Sequence, residues 1–213
     1  MSQSVNYIDQ NSFFERDWSA YYDAVTGRPP RDTLLAALAN FHSVNQYSSK
    51  TKFAVDLGCG NGRDTLELIR RGWWVLAIDG DKEGISRIRC NQNIDSHKLQ
   101  TDVMRFESLV LPKSVDLINA SFSLPFCQSL YFPRLWDTIV TSLSSGGRFC
   151  GQLFGIRDSW AINSSVNYHT REQIEDLLQS FIIEMLEEEE HLGKTALDEE
   201  KYWHIFHIVA CKR

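Results

Sequence analysis

The chain is predicted to be an α/β protein on a doubly wound, mostly parallel sheet, and three observations carry that expectation. Short, nearly all-apolar runs ("FAVDLG", "WWVLAID", "SVDLINASF", "RFCGQLFG") alternate with helical patterns, as strands buried on both faces require. A glycine-rich turn, "GCGNG", stands between the first strand and the helix after it, where sheets of this class hold ligands. The last two strand candidates, "IIEMLEEEE" and "YWHIFHIVACK", have no helix between them, so they must run antiparallel and finish the sheet in a hairpin.

Composition sets the outer bounds. A chain of 213 residues, 43% apolar and 23% charged, is long enough for one domain with its own core, without disulfides or a structural metal. The net charge of -6 offers no counter-charge to a phosphate backbone, and no basic cluster compensates, so a small-molecule substrate is expected and a nucleic acid is not. Five scattered cysteines with no Cys-x-x-Cys pair suit a reducing compartment. Residues 1 to 12 lack a basic start and an apolar core, and no later window approaches a membrane span, so the expectation is a soluble, cytoplasmic protein with no membrane partner.

The elements follow in order. A helix over roughly residues 12 to 24 is broken at "TGRPPRDT" by Gly27, Pro29 and Pro30, and Asp32 or Thr33 caps the next helix, "LLAALANF". After "FAVDLG" comes the helix "RDTLELIRRG", with Leu66 and Ile69 on one face and Gly72 at its end. "WWVLAID" leads into the helix "DKEGISRIRCNQN", and then come the strands "LQTDV" and "SVDLINASF". The helix "YFPRLWDTIVTSLSSGG" precedes "RFCGQLFG"; the stretch "GIRDSWAINSSVNYHT" lacks periodicity, as functional loops often do. Thr170 with Gln173 reads as a capping box that opens "TREQIEDLLQSF".

The glycine turn points to a particular ligand. Gly58, Gly60 and Gly62 allow close backbone approach, but the position where a dinucleotide fingerprint has its third glycine holds Arg63. Asp56 beside the turn would repel a pyrophosphate and attract a cation. S-adenosylmethionine carries a sulfonium and an ammonium and no phosphate, so its methionine end suits Asp56. Asp79, about twenty residues on at the end of the second strand, suits the two ribose hydroxyls of a nucleoside. Asp102, ending the third strand, is placed to accept from the adenine amino group, with Val103 and Met104 flanking the ring.

"VDLGCGNGRD", with "LAID", "QTDV" and "DLINASFSLPF", resembles the class I S-adenosylmethionine-dependent methyltransferases, closest to the small-molecule branch that includes tellurite-resistance-type enzymes. The resemblance runs from about Phe53 to Phe154. It implies a Rossmann-like sheet of seven strands whose last is antiparallel, and cofactor contacts from Asp56, Gly58, Gly60, Asp79, Asp102 and Val103. Asn119, in the "NASF" that ends strand four, joins that cofactor-binding set, although the prolines of base-modifying enzymes are missing there, which argues against base flipping.

Other segments supply the remaining candidates. In "FFERDWSAYY", Phe14, Trp18, Tyr21 and Tyr22 lie at helical spacing; they are either core or a lid, residues 1 to 32, that closes with Trp18 or Tyr22 against the cofactor. Arg28 and Arg31 face solvent or the cofactor carboxylate. "SFSLPF" after strand four gives Phe122, Leu124 and Phe126 as acceptor-pocket walls, joined by Trp160 from the aperiodic stretch, and Arg157, Asp158, Tyr168 and His169 are further candidates from that stretch. His169 is the first choice for a general base, should the acceptor need one. His204 and His207 lie an odd number apart on a strand and so point to opposite faces, which argues against a paired metal site; no metal is expected. "EEEE" at residues 187 to 190 reads as a solvated edge. The competing functions are a non-catalytic module that binds the cofactor and an NAD-dependent oxidoreductase.

Overall fold

A computed structural model describes residues 17–44, 51–162 and 166–213. Two helices, α1 (Trp18–Val25) and α2 (Asp32–Val44), precede β1 (Phe53–Leu57), α3 (Arg63–Arg70), β2 (Trp74–Asp79), α4 (Lys82–Arg89) and β3 (Leu99–Val103). The chain continues through β4 (Val115–Ala120), α5 (Phe132–Ser142), β5 (Leu143–Gly155), β6 (Tyr168–His169), α6 (Arg171–Leu177), β7 (Phe181–Lys194) and β8 (Glu200–Lys212).

Seven strands lie side by side in the order β3-β2-β1-β4-β5-β8-β7, and the two-residue β6 adds an eighth beside the end of β5. The first five are mutually parallel. The final hairpin folds back so that β8 enters antiparallel between β5 and the edge strand β7. The expected α/β class and the antiparallel ending are therefore what the chain adopts.

Period-two alternation splits the core in two. Val55, Leu57, Ile118, Ala120 and Phe149 point to the face covered by α5 and α6, where Trp136, Ile139 and Ile174 meet them. Ala54, Val75, Ala77, Leu117 and Val209 point the other way, to α2, α3 and α4. Asp56 shares that second face by parity with Ala54, which puts its carboxylate toward α3 and not in the core of the first.

Some boundaries and faces differ from expectation. Leu68 and Ile69, not Leu66, are the buried apolar residues of α3, because Asp64, Thr65 and Glu67 also turn inward and rotate the buried stripe. The predicted first helix begins at Trp18, capped by Asp17; Phe14 lies outside the described residues. The Thr170 and Gln173 capping box is present, with both reciprocal bonds.

Candidate functional site

The glycine turn owes its shape to close packing. Gly58 has φ +65°, and a Cβ there would stand 2.2 Å from Cβ of Ser123, whose hydroxyl donates to the Leu57 carbonyl. Gly62 has φ +92°, and a Cβ would meet Ile88 of α4 at 2.7 Å. Both positions combine left-handed backbone with no room for a side chain, so only glycine fits. A Cβ on Gly60 would lie 3.2 Å from the ring of Tyr22, and one on Gly84 would meet the Gly60 carbonyl at 2.7 Å. Helices α1 and α4 thus clamp the turn from either side.

A cleft of about 310 Å³ opens over the turn, lined by Gly58, Gly60, Asp79, Asp81, Trp18 and Tyr22 among others. Asp79 is anchored: Oδ2 accepts from the Gly60 N–H at 2.7 Å and Oδ1 from the Asp81 N–H at 2.8 Å. Each oxygen retains acceptor capacity toward the cleft. Burial pushes its pKa up, against the opposing pull of those backbone bonds. Asp81 caps α4 through Oδ1, and its buried Oδ2 has no partner among the described residues. A buried carboxylate oxygen left open at a cleft is an acceptor for ligand hydroxyls or a cation. Tyr22 is buried and its pKa is raised by burial first, then by the Asp79 charge and by the side-chain interaction of its hydroxyl with Asp81.

Asp56 lies beneath this cleft. Its carboxylate accepts from Thr65 Oγ1 at 2.6 Å and Asn119 Nδ2 at 2.8 Å, and it reaches open space only at a small cavity of about 50 Å³ behind the turn. Asp64 sits beside it, accepting from Asn119 Nδ2, Ser121 Oγ and the Arg31 N–H. Burial and then the Asp64 charge lift Asp56 to about 7. Asn119 is fully buried and lines no cleft; its amide bridges the two acids. The expected cofactor role of Asn119 is corrected to holding Asp56 and Asp64 together.

Near the third strand the lining is shifted by a few residues. Asp102 and Val103 are exposed and do not line the cleft, whereas Met104, Arg105, Phe106 and Glu107 do. The Met104 N–H donates to the Asp79 carbonyl, which turns the chain back toward the cleft only after β3 ends. Of the three carboxylates expected at the ligand, Asp79 lines this cleft, Asp56 acts from beneath it and Asp102 stands outside it.

A second cleft, of about 350 Å³, adjoins the first, and Trp18, Tyr21, Phe122 and Phe126 line both. Phe122 has φ +53°, its N–H donating to Gln152 Oε1, with the Arg31 guanidinium 4.4 Å above its ring. The far wall is Trp160, Trp203 and the β7–β8 hairpin, including Glu189, His191 and His207. Phe126 and Trp160 line it, but Leu124 does not: it opens a short 3₁₀ turn with Pro125 and is fully buried in the core. Arg31 lines the cleft rather than bulk solvent.

His169 is also displaced from its expected place. It lies on β6, 4.7 Å from the Phe132 ring, lining neither cleft, with Nδ1 unpartnered among the described residues and its pKa lowered to about 4 by burial. Pairing of β6 with β5 draws it to the α5 face, away from the aromatic wall. Asp158 is equally structural, paired in the interior with Lys201, whose Nζ lies 4.0 Å from the Trp160 ring and 4.5 Å from that of Trp203. Arg157 bridges Glu188 and Glu190 on the outer face of the hairpin. Those two carboxylates and His204 bring ligand atoms within 4.8 Å of one another, and the Arg157 guanidinium already supplies their cation.

Sequence reasoning did not find Asp81, Glu189, His191 or His207 as site residues. Asp81 was detectable as the second acid of "DGD" after β2; the hairpin residues carried no local signal.

The comparisons agree with this geometry. Residues 54–147 match the family model described as a methyltransferase domain. No curated protein matches the chain. Among solved structures, TehB from Haemophilus influenzae aligns with TM-score 0.67 at 13% identity over 83% of this chain, which spans 61% of the TehB chain. A TehB-like S-adenosylmethionine-dependent methyltransferase from Corynebacterium glutamicum aligns with TM-score 0.61 at 14% identity, over 92% of this chain and 96% of that one. A 1,6-didemethyltoxoflavin-N1-methyltransferase from Burkholderia thailandensis, solved with 1,6-didemethyltoxoflavin and S-adenosylhomocysteine bound, aligns with TM-score 0.60 at 17% identity, over 91% and 84%. These likenesses establish the fold, and the matched segment contains the glycine turn, Asp79 and Asp81, which line the first cleft, and Asp56 beneath it. Residues 54–147 are therefore similar to a methyltransferase domain, on a fold shared with S-adenosylmethionine-dependent methyltransferases.

Proposed function

We propose that the chain methylates a small-molecule acceptor bound in the second cleft, with S-adenosylmethionine in the first. The observation that carries this reading is the common wall: Trp18, Tyr21, Phe122 and Phe126 line both cavities, so ligands filling the two would lie against each other. The sulfonium supplies an activated methyl group and leaves as a neutral thioether. Gly58 and Gly60 approach the cofactor, Asp79 and Asp81 accept from its hydroxyls, and Asp56 favours its positive end. Helix α1 lies across the turn with Trp18 and Tyr22 inward, and acts as the lid that keeps water out; of the lid expected over residues 1–32 in a single domain of residues 1–213, residues 1–16 lie outside the described residues.

The bound 1,6-didemethyltoxoflavin of the Burkholderia enzyme supports a small-molecule acceptor by likeness. The acidic balance and the absence of a basic cluster in the sequence speak against a nucleic acid. No helix among the described residues is long and apolar enough to cross a membrane, in keeping with a cytoplasmic enzyme that has no membrane partner. A non-catalytic binding module would have no use for an open second cleft.

Calorimetric titration with S-adenosylmethionine, S-adenosylhomocysteine and NAD tests the cofactor half. The first two should bind and NAD should not. Asp79→Ala should weaken both by about tenfold to a hundredfold, the loss of one or two charge-assisted hydrogen bonds. NAD binding, or an unaffected variant, would refute the assignment of the first cleft. Methyl transfer to a panel of phenols, thiols and N–H heterocycles tests the other half, and no transfer to any member would refute it.

A further inference from the structure

The second cleft holds an imidazole–carboxylate pair that the reading above leaves without a task. His207 on β8 stands opposite Gln152 of β5 in the strand register, and Gln152 Oε1 fixes the backbone of Phe122, a wall common to both clefts. The His207 ring lies edge-to-face with Phe122 at 6.4 Å between centroids, so the pair sits toward the boundary with the cofactor cleft. Glu189 of β7 bonds His207 Nε2 at 2.8 Å through Oε2, and its Oε1 meets His191 Nδ1 at 3.1 Å. Both carboxylate oxygens are thereby occupied and aimed. With Nε2–H donating to Glu189, the tautomer leaves Nδ1 as a lone-pair acceptor, and Nδ1 has no hydrogen-bond partner among the described residues.

We propose that His207, oriented by Glu189, is the catalytic base for an acceptor whose O–H or N–H is borne on a planar ring held in the second cleft; this rests on the small-molecule reading above. A flat ring suits walls made by Trp18, Phe122, Phe126, Trp160 and Trp203. The acceptor heteroatom forms its new bond to the methyl carbon, the electron pair of the broken sulfur–carbon bond stays on sulfur, and the heteroatom's proton moves to His207 Nδ1. The imidazolium is stabilised by Glu189 and returns its proton to water once the product leaves. Arg28 and Arg31 from the α1–α2 connection, with Lys194 at the hairpin tip, line the same cleft and favour an acceptor becoming anionic; Asp17, Asp32 and Glu199 line it too and partly offset them. His191 shares Glu189 on the solvent side.

The test needs no turnover for its first arm. 4-Nitrophenol bound to the protein with S-adenosylhomocysteine is followed by its phenolate absorbance across pH. In the wild type, the ionisation curve of the bound probe should move to lower pH than that of the free probe, because the proton is taken up by His207. In His207→Asn the displacement should shrink to what Arg28, Arg31 and Lys194 alone supply, and in Glu189→Gln it should shrink less, with S-adenosylhomocysteine binding confirming that each variant is folded. The second arm compares methyl transfer to 4-nitrophenol, below its own ionisation, with transfer to 4-nitrothiophenol, already a thiolate. The phenol-to-thiolate rate ratio should fall about a hundredfold in His207→Asn, the scale of general-base catalysis. An unchanged curve and an unchanged ratio would overturn the base while leaving the small-molecule reading intact. Failure of both probes to bind to a protein that holds S-adenosylhomocysteine would overturn the base, and failure of the whole acceptor panel would overturn the small-molecule reading with it.

Discussion

Asp56 is a single carboxyl group buried beneath the glycine turn at a cost to the fold. It is surrounded by donors from Thr65 and Asn119, yet burial and Asp64 still raise its pKa to about 7, so the ionised form is disfavoured in the folded chain. Asp56→Asn reproduces the protonated acid, since its Oδ1 can accept from Asn119 while its Nδ2 donates to the Thr65 hydroxyl. Thermal denaturation at neutral pH should show the variant at least as stable as the wild type, while its affinity for S-adenosylmethionine falls about tenfold, or ~1.4 kcal/mol. Undiminished affinity would mean that the charge serves packing alone. Asp56, Gly58, Gly60 and Asp79 were legible in the sequence because a strand, a turn and a helix start are contiguous and their chemistry is local. Asn119 and Leu124 were misplaced for a different reason. Asn119 lies two residues before Ser121 and Leu124 one after Ser123, both of which line a cavity wall, and which side chains reach that wall depends on the turn after β4, where Phe122 takes a positive φ.

At the scale of elements, α1 and the β7–β8 hairpin close the two clefts from opposite ends. Trp18 stacks on Tyr22 with centroids 6.5 Å apart and meets Phe126 edge-on at 5.7 Å, so one side chain ties the lid to both cavities. Trp18→Ala should weaken S-adenosylhomocysteine and raise the KM for the acceptor, each by about tenfold, since an aromatic pair contributes roughly 0.5–1.5 kcal/mol beyond the area it buries. Tm should change little, because Trp18 is only half-buried. If Tm collapses and binding per folded molecule stays as in the wild type, α1 is core and not lid. The hairpin was predictable as an antiparallel pair but not as a wall of the site. In "EEEE", alternation sends Glu188 and Glu190 to Arg157 and His204 on one face and Glu189 to the cleft on the other, a division that a run of four identical residues conceals. The face a strand presents to a cleft depends on what packs beside it, here β5 and α1, both distant in sequence.

Across the whole molecule, buried ionisable groups whose shifts fall between pH 4 and 7 pull stability in opposite directions. His169 is buried neutral, with its pKa lowered from an ordinary 6.5 to about 4. The unfolded chain binds that proton first, so the stability owed to neutral His169 is present above its unfolded pKa and is lost as pH falls toward 4. Asp56, raised from 3.8 to about 7, behaves inversely: the folded chain holds the proton, and the associated stability is present at low pH and lost as pH rises toward 7. Asp79 is raised in the same direction, so it adds to the Asp56 slope. The two carboxylates lie at and beneath the glycine-turn cleft, whereas His169 packs β6 on Phe132. Denaturant titrations of the ligand-free chain between pH 4 and 7 should therefore show a shallow dependence in the wild type, where the slopes oppose. Asp56→Asn should tilt it so that stability rises with pH, and His169→Phe should tilt it the other way. S-adenosylmethionine should raise the neutral end most, tilting the profile toward stability that rises with pH, because its positive charge relieves the ionised carboxylates there. Identical profiles in all three proteins would show that the buried acids keep ordinary ionisation, and the cation preference assigned to the glycine-turn cleft would lose its electrostatic basis.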